Sequence, residues 1–160
     1  MTGAADTIYS AYSLVCHQWA HRSFFLFGPV PSYSLEQVLG MTGGLLDLTY
    51  TGSPEQGYKI AFCERDLAIY LTIAAAGSLY AIRRHQITCL SVRHYALLLM
   101  PIALDGFTQL FGWRESTPLL RVATGMLFGL GTVWFICPRL DAIIRQRAAR
   151  MAPTWMPASS

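Results

Sequence analysis

The sequence predicts an all-α membrane protein with three transmembrane helices and an N-terminal re-entrant or interfacial helix. Of its 160 residues, 53% are hydrophobic and 13% are charged, whereas a soluble domain carries about 25% charged residues. The mean hydropathy is +0.36. Three long segments are apolar on every side, although a helix of a soluble bundle would keep a polar face. We expect a single membrane domain over residues 1–160.

The three predicted spans cover residues 62–82, 94–113 and 119–137. Each approaches the roughly 20 residues that a helix needs to cross about 30 Å of hydrocarbon. Asp105 is the only acid in the second span, and residues 122–137 of the third span are uncharged.

The N-terminal region, residues 7–60, admits two interpretations. A fourth span over residues 8–30 would place His17, His21 and Arg22 inside the bilayer, where ionisable groups are costly. No basic residue precedes this segment to hold the N-terminus in the cytoplasm. We therefore expect a re-entrant or interfacial helix on the outer face, with the fourth span as the alternative.

The charges are distributed unevenly between the two ends of the predicted spans. The loop between the first and second spans and the tail, residues 138–160, together contain seven arginines and one acid. The rest of the chain contains five basic and eight acidic residues. Because basic loops stay in the cytoplasm, this pattern predicts a multi-pass protein of the cell membrane with a cytoplasmic C-terminus. Its surroundings are the lipid bilayer, and we expect no nucleic acid as a partner.

This orientation gathers polar side chains from three separate stretches at the outer boundary of the membrane. The first span begins there, the second ends there and the third begins there. Such groups are costly to assemble at a membrane for packing alone. The candidates for catalysis are the polar residues of this layer, namely His17, Arg22, Arg65, Asp66, Asp105, Gln109 and Arg114.

Asp105 lies about two helical turns below Trp113, inside the apolar zone. An ionisable group there costs roughly 2.5–3.5 kcal/mol on insertion scales, so it needs a partner. Arg65, Arg114 and Arg121 are within reach. Such a pair would tie helices together or serve catalysis or transport. The arginines would bind an anion such as a lipid phosphate in a forked geometry, or merely neutralise nearby acids.

Three roles remain open for Cys16 and Cys63, which lie in an oxidising compartment under this orientation. The first is a structural disulfide. The second is a metal site that includes His21 or His17 and a carboxylate. Zinc is the expected ion, because it takes about four sulfur, nitrogen and oxygen ligands. The third role is a free or nucleophilic thiol.

The pattern Gly125-x-x-x-Gly129 in the third span is typical of closely packed membrane helices. It would serve either packing within the chain or contact with a membrane-protein partner.

Four motifs follow one another along residues 16–131: CHQ-x3-RSF, C-x-RD-x-x-IY, P-x3-DG-x2-Q-x4-RES and LR-x2-TG. Together they resemble a family of small bacterial and archaeal membrane proteins known only as a domain of unknown function. The resemblance implies no activity. It implies a shared set of motif residues: Cys16, His17, Gln18, Arg22, Ser23, Cys63, Arg65, Asp66, Asp105, Gln109, Arg114, Glu115, Ser116 and Arg121.

Two features depart from the pattern of that family. Residues 28–62 form a longer link between the first and second motifs, and Pro118 stands where the family pattern has Asn. We expect the insertion to cover the outer site or to dock a membrane-protein partner.

These observations support two main functions. The first is a metal-assisted enzyme that acts on a lipid headgroup or another amphiphile at the outer face. The alternative is a structural or accessory subunit of a larger membrane complex, with a Cys16–Cys63 disulfide and buried ion pairs. Reversible thiol exchange by the same cysteines is a third. An enzyme requires a water-accessible cavity at the motif residues, whereas a subunit requires these groups to satisfy one another.

Overall fold

The computed structural model describes residues 3–12, 18–45, 47, 50–84 and 86–151. These residues are mostly helical, with a small antiparallel sheet. The helices are α1 (Gly3–Tyr12), α2 (Leu35–Met41), α3 (Glu64–Arg83), α4 (Val92–Leu110) and α5 (Pro118–Met151). The strands are β1 (Ser23–Leu26), β2 (Gly52–Ser53) and β3 (Gly57–Cys63).

The sheet corrects the all-α prediction. Its strand order is β1-β3-β2, and Ser23 of β1 lies opposite Cys63 of β3. Buried and more exposed residues alternate along much of β3, and the buried ones include Lys59. The Lys59 ammonium donates a hydrogen bond of 2.8 Å to the carbonyl oxygen of Gln18. A lysine on the buried face breaks the alternating apolar pattern by which a strand is usually recognised.

A small apolar core supports this sheet. Phe25 of β1 packs edge-to-face on Tyr33, with ring centroids 4.8 Å apart, and Val38 of α2 is buried in the same cluster. Ser34 and Gln37 form a capping box that starts α2. The described part of the insertion over residues 28–62 therefore contains folded elements, and the role of the insertion as a cover or a docking surface stays a prediction.

A single helical span over residues 8–30 is wrong. Helix α1 ends at Tyr12, and a 3₁₀ turn (Ala20–Arg22) leads directly into β1. Helix α1 packs on β3, where the ring of Tyr12 lies 4.3 Å from that of Phe62. The re-entrant or interfacial placement of this region stays a prediction, and residues 13–17 lie outside the described residues.

Helices α3, α4 and α5 occupy the positions of the three predicted spans, but their ends differ. Helix α3 begins at Glu64 because Cys63 caps it, and α4 ends shortly before Gly112, whose positive φ of 67° turns the chain. Helix α5 continues through the predicted tail to Met151. Within the described residues, α5 alone is long and apolar enough to cross a membrane, by length and composition only. One candidate span is thus found by this criterion, and the three-span arrangement stays a prediction.

Helix α5 packs against both α3 and α4. A Cβ atom on Gly125 would lie 2.7 Å from the carbonyl oxygen of Arg65, and one on Gly129 would lie 3.0 Å from that of Ile69. The Gly125–Gly129 face therefore serves packing within the chain, and its assignment to a membrane-protein partner is wrong because α3 already occupies it.

The two ends of this three-helix bundle differ in chemistry. At one end, here called the polar end, α3 and α5 begin and α4 ends. At the other, the arginine-rich end, the loop between α3 and α4 is bound to α5. There the Trp134 indole donates to the carbonyl oxygen of Thr88 at 3.0 Å, and Arg139 donates to that of Leu90 at 2.7 Å.

Candidate functional site

Asp105 is the centre of a buried ion-pair cluster at the polar end. Asp105 exposes only 3% of its surface to solvent. Arg65 of α3 contacts Oδ2 of this carboxylate, and Arg114 donates to Oδ1 at 3.1 Å. Gln109, one turn further along α4, donates to Oδ2 at 2.9 Å. Two of the three arginines within predicted reach are therefore partners of Asp105, and the cluster links α3 to α4.

A second buried ion pair joins α3 to α5. Glu64 is fully buried, and Nη1 of Arg121 donates to its Oε2 at 3.1 Å. The same nitrogen donates to the carbonyl oxygen of His21 at 3.2 Å. Within the described part of the chain, Oε1 of Glu64 and Nε of Arg121 have no hydrogen-bond partner. Arg121, the third arginine expected near Asp105, therefore serves a different carboxylate.

The close approach of α5 to α3 explains where Arg121 lies. Gly125 follows Arg121 by one helical turn and brings the α5 backbone against the carbonyl oxygen of Arg65. Thr124 is buried beside it and donates its hydroxyl hydrogen to the carbonyl oxygen of Leu120 at 2.8 Å. The LR-x2-TG motif therefore has a direct physical meaning, because its small residue allows the contact and its arginine neutralises the buried acid.

His21 is a buried imidazole next to this pair. Its Nε2 accepts a hydrogen bond from Nε of Arg22 at 3.2 Å, and its ring meets that of Trp19 edge-on at 5.3 Å. Burial, followed by the nearby positive charge of Arg22, lowers the pKa of His21 to about 4. The ring is thus neutral near pH 7. Because the Arg22 contact uses the Nε2 lone pair, the remaining proton lies on Nδ1, and metal ligation by His21 would require either loss of the Arg22 contact at Nε2 or a change of tautomer that frees Nδ1.

A cavity of about 320 Å³ opens beside the Asp105 cluster. Two guanidinium groups, a carboxamide and an indole line it, together with backbone and aliphatic surface: Trp19, Arg22, Arg65, Gly106, Gln109 and Leu110. Three of these, Arg22, Arg65 and Gln109, are among the residues that the sequence identified as site candidates. The cavity therefore combines positive charge with an apolar and aromatic wall.

Arg22 supplies the excess positive charge of this cavity. Burial, followed by the positive charge of Arg121, lowers the pKa of Arg22, and the effect of Arg65 has the same sign, whereas Glu115 acts in the opposite direction. Among the described residues, Arg22 forms no ion pair with a carboxylate. A half-buried guanidinium in surroundings that disfavour its charge is stabilised by an added anion.

Cys63 has a structural role that the sequence did not indicate. It is the N-cap of α3, and its Sγ accepts a hydrogen bond from the backbone N–H of Asp66 at 3.3 Å. Asp66 itself is half-buried in the first turn of α3. Cys16 and His17 lie outside the described residues, so neither the disulfide nor the metal site that includes them is placed. Within the residues that are described, no group of three or more His, Cys, Asp and Glu side chains is arranged to hold a metal.

Two residues of the site, Glu64 and Trp19, are not among the candidates named from the sequence. Glu64 lies in the first turn of α3, where an acid is usually explained by its favourable position at a helix N-terminus, and nothing in its spacing reveals burial. Trp19 follows the CHQ string, but one aromatic residue in an aromatic-rich segment is a weak signal. Only the contacts between distant elements assign these two residues to the site.

The comparisons with known proteins agree with a membrane-protein family. A family model described as "Predicted membrane protein (DUF2085)" matches residues 55–135. An uncharacterized protein of Methanocaldococcus jannaschii is 32% identical over 133 residues, which cover 82% of this chain and 67% of the relative. An uncharacterized protein of Methanothermobacter thermautotrophicus is 40% identical over 77 residues, 48% of this chain and 68% of the relative. No solved structure matches the chain.

The resemblance that the four motifs suggested is confirmed at the level of a membrane-protein family of unknown function with archaeal relatives. The matched residues include Glu64, Arg65, Asp105 and Arg121, which form the two buried ion-pair clusters. The chain belongs to the DUF2085 family of predicted membrane proteins.

Proposed function

We propose that this chain is a multi-pass membrane protein that binds the phosphate headgroup of an anionic lipid or a related amphiphile at its polar end. Helices α3, α4 and α5 are its spans in this proposal. The polar end faces away from the cytoplasm, and the arginine-rich end and the C-terminus face it. The single observation that supports the binding function most strongly is the cavity lined by Arg22 and Arg65.

The lining of this cavity suits a phosphate attached to an apolar tail. Guanidinium groups bind phosphate oxygens in a forked geometry, and the Gln109 amide, which donates to the backbone and side chain of Asp105, holds that carboxylate beside them. Trp19 and Leu110 provide apolar surface beside these donors. The volume of about 320 Å³ lies at the lower end of the range for small-molecule pockets, which fits a headgroup better than a whole lipid.

Binding accounts for the described residues better than catalysis does. A general base needs a carboxylate or imidazole that can accept a proton, but Asp105 and Glu64 each accept hydrogen bonds from arginines. His21 accepts one from Arg22 through the same lone pair that a base would use. The metal-assisted enzyme depends on Cys16 and Cys63 with His21 or His17, and Cys16 and His17 lie outside the described residues. Catalysis is a further step that the binding proposal does not require.

A titration of the purified protein tests the binding proposal. Trp19 lines the cavity, so its fluorescence should report binding of dihexanoyl phosphatidic acid, with dihexanoyl phosphatidylcholine and inorganic phosphate as the comparison ligands. Arg22→Gln should weaken phosphatidic acid binding by about tenfold or more, because a hydrogen bond to a charged group contributes about 1.5–3 kcal/mol. Arg93→Gln, an exposed arginine at the other end, is the matched control and should bind like the wild type.

Each comparison ligand tests a different alternative to lipid binding. Binding of inorganic phosphate as tightly as phosphatidic acid would make the site one for free phosphate rather than for a lipid. Equal binding of phosphatidylcholine and phosphatidic acid, or an Arg22→Gln variant that binds like Arg93→Gln, would reject the proposed role of the cavity. Trp19→Phe identifies the part of the signal that comes from the site.

The second candidate function is that of a structural subunit in a membrane complex. The observation that favours it is the mutual neutralisation of Asp105 and Glu64 by three arginines, which a purely architectural role would also produce. The two functions predict different molecules bound to the protein after purification in mild detergent. A subunit should retain a partner protein at fixed stoichiometry in both the wild type and Arg22→Gln, whereas the lipid-binding protein should lose only its lipid in that variant.

The proposed membrane arrangement rests on exposed apolar side chains on all three helices. Leu71 of α3, Leu104 of α4 and Leu119 of α5 are each more than half exposed in the isolated chain, and exposed apolar patches of this kind favour a lipid environment. Reporter fusions test the arrangement. Alkaline phosphatase should be active when fused after Trp113 and inactive when fused after Gln86 or Met151. Activity after all three residues, or after none, would reject the three spans.

A further inference from the structure

Helix α5 does not end where its apolar segment ends. The sequence predicts a span over residues 119–137, but the helix continues to Met151. We call residues 139–151 the basic extension. At a rise of about 1.5 Å per residue the extension adds roughly 20 Å of helix beyond the apolar segment.

The basic extension combines exposed apolar side chains with a net positive charge. Leu140, Ile143, Ile144 and Met151 are all between about half and three quarters exposed. Their spacing places them on one side of the helix, since residues three, four and eleven positions apart share a face. Its charged residues are four arginines and one acid: Arg139, Asp141, Arg145, Arg147 and Arg150.

Few of these charges are neutralised within the chain. Asp141 pairs with Arg145 at 2.8 Å, and Arg139 contacts carbonyl oxygens of Phe135 and Leu90. Arg147 and Arg150 are exposed and form no ion pair among the described residues. Arg147 follows Ile144 by three positions and so shares the apolar side, while Arg145 and Arg150 lie to either side of it. Because long arginine side chains extend past apolar neighbours to place their charge at lipid phosphates, such a helix fits a membrane surface with anionic lipids.

We propose that the basic extension lies on the anionic lipid surface at the arginine-rich end, with its apolar side in the headgroup region and its arginines on lipid phosphates. The proposal requires α5 to span the membrane but is independent of the cavity at the polar end. Pro138 lies at the junction, inside the helix. Because proline removes a backbone hydrogen bond and is a usual cause of helix bending, Pro138 provides the point at which the extension turns onto the surface.

A lipid surface fits better than a soluble acidic protein for two reasons. The extension continues directly from a span and therefore emerges at the level of the headgroups, where anionic lipids are concentrated. Its basic residues are all arginine, whose guanidinium binds phosphate oxygens in pairs. The apolar side chains also gain from entering the headgroup region, which a purely electrostatic contact with an acidic protein would not provide.

Thiol accessibility in lipid nanodiscs tests this proposal. Ile144→Cys places a thiol on the apolar side, and Ala142→Cys, two residues away, places one on the opposite, exposed side of the same helix. Both are made in a chain whose native cysteines are replaced by serine, and an uncharged polymer maleimide that does not enter the bilayer labels them. The measured quantity is the ratio of the two labelling rates.

In nanodiscs of equimolar phosphatidylcholine and phosphatidylglycerol, Ile144→Cys should react at least about tenfold more slowly than Ala142→Cys, because each arginine near such a surface contributes roughly a factor of five in binding. In detergent the two rates should be similar. Replacement of Arg145, Arg147 and Arg150 by Gln should bring the ratio of the two labelling rates in the anionic nanodiscs back to the value measured in detergent.

Equal rates in the anionic nanodiscs would overturn the proposal and leave the extension to a soluble acidic partner. Should the cysteine-free chain fail to fold, hydrogen exchange of the wild-type chain gives the same decision. Residues 139–151 should then exchange more slowly in anionic nanodiscs than in nanodiscs of phosphatidylcholine alone, and equal exchange in the two would overturn the proposal.

Discussion

At the scale of single residues, the polar end is organised by two acids that are removed from solvent and held by arginines. Asp105 receives two guanidinium groups and the Gln109 amide, and Glu64 receives Arg121. A buried pair adds little stability over an apolar pair of the same shape, but the loss of one partner leaves an uncompensated buried charge. These residues are therefore expected to be sensitive to substitution even when they take no part in binding.

Substitution of Asp105 tests this expectation. Asp105→Asn keeps the side-chain size but leaves Arg65 and Arg114 without their shared anion, and we expect it to lower the free energy of unfolding by about 1.5–3 kcal/mol, because both arginines keep contact with solvent. Asp141→Asn is the matched control, because its exposed pair with Arg145 contributes at most about 1 kcal/mol. Thermal unfolding in detergent measures both. Equal, small losses would mean that the Asp105 cluster is not a buried charge centre.

The buried imidazole of His21 makes stability depend on pH. Its pKa is about 4 in the folded chain, against 6.5 for an ordinary histidine. Burial lowers it most, Arg22 and Arg121 add to the effect, and Glu115 opposes it. The unfolded chain therefore binds the extra proton first, so stability is constant above about pH 6.5 and falls as the pH decreases toward 4. The total loss is about 3 kcal/mol.

Unfolding followed between about pH 7 and pH 5 tests this dependence, because His is the side chain that ordinarily titrates in that range. His21→Gln should remove most of the slope. The control is His94→Gln, since His94 is exposed near the arginine-rich end and its ring contacts the Ser91 hydroxyl. A slope that survives in His21→Gln would show that another group dominates the pH dependence.

The sequence identified part of this site, for physical reasons. An acid inside an apolar helix must have a partner, so the arginines near Asp105 could be named in advance. Glu64 was recognised only as one of several nearby acids that the arginines could neutralise, because an acid in the first turn of a helix is ordinarily exposed. Whether an acid at the start of α3 is exposed or buried depends on packing with α5, and a local sequence pattern does not reveal that packing.

At the scale of secondary-structure elements, the close contact of α3 and α5 decides which side chains meet. Gly125 and Gly129 allow the two backbones to approach, and Arg121 reaches Glu64 as a result. The Gly-x3-Gly pattern was visible in the sequence, but its partner helix was not. The sheet was missed for a related reason, because β3 buries Lys59 through contacts with the distant residue Gln18.

Two glycine-to-alanine substitutions test the helix contact. Gly125→Ala places a methyl group 2.7 Å from the carbonyl oxygen of Arg65 and 3.2 Å from Cβ of Ala68, so we expect a loss of about 1–3 kcal/mol in the free energy of unfolding. Gly77→Ala in α3 meets no described atom within 4 Å, and the better helix propensity of alanine should stabilise it by up to about 1 kcal/mol. Unfolding in detergent should give opposite signs, and the same sign for both would contradict the contact.

At the scale of the whole molecule, the bundle has two ends with different chemistry. The polar end contains the buried acids, their arginines and the cavity, and a small sheet and α1 adjoin it. The arginine-rich end ties the α3–α4 loop to α5 and continues as the basic extension. In the two proposals made above, both ends bind lipid phosphates, the polar end through its cavity and the arginine-rich end through the surface of the basic extension.

Mapping of the lipid headgroup onto the chain tests the claim that the cavity at the polar end binds a lipid phosphate. A phosphatidic acid with a photoreactive diazirine next to its phosphate is incorporated into nanodiscs with the purified protein, and the crosslinked peptides are located by mass spectrometry. We predict adducts on the cavity residues Trp19, Gly106 and Leu110, with loss of these adducts in Arg22→Gln and retention in Arg93→Gln. Adducts confined to the arginine-rich end, or cavity adducts that persist in Arg22→Gln, would contradict the claim.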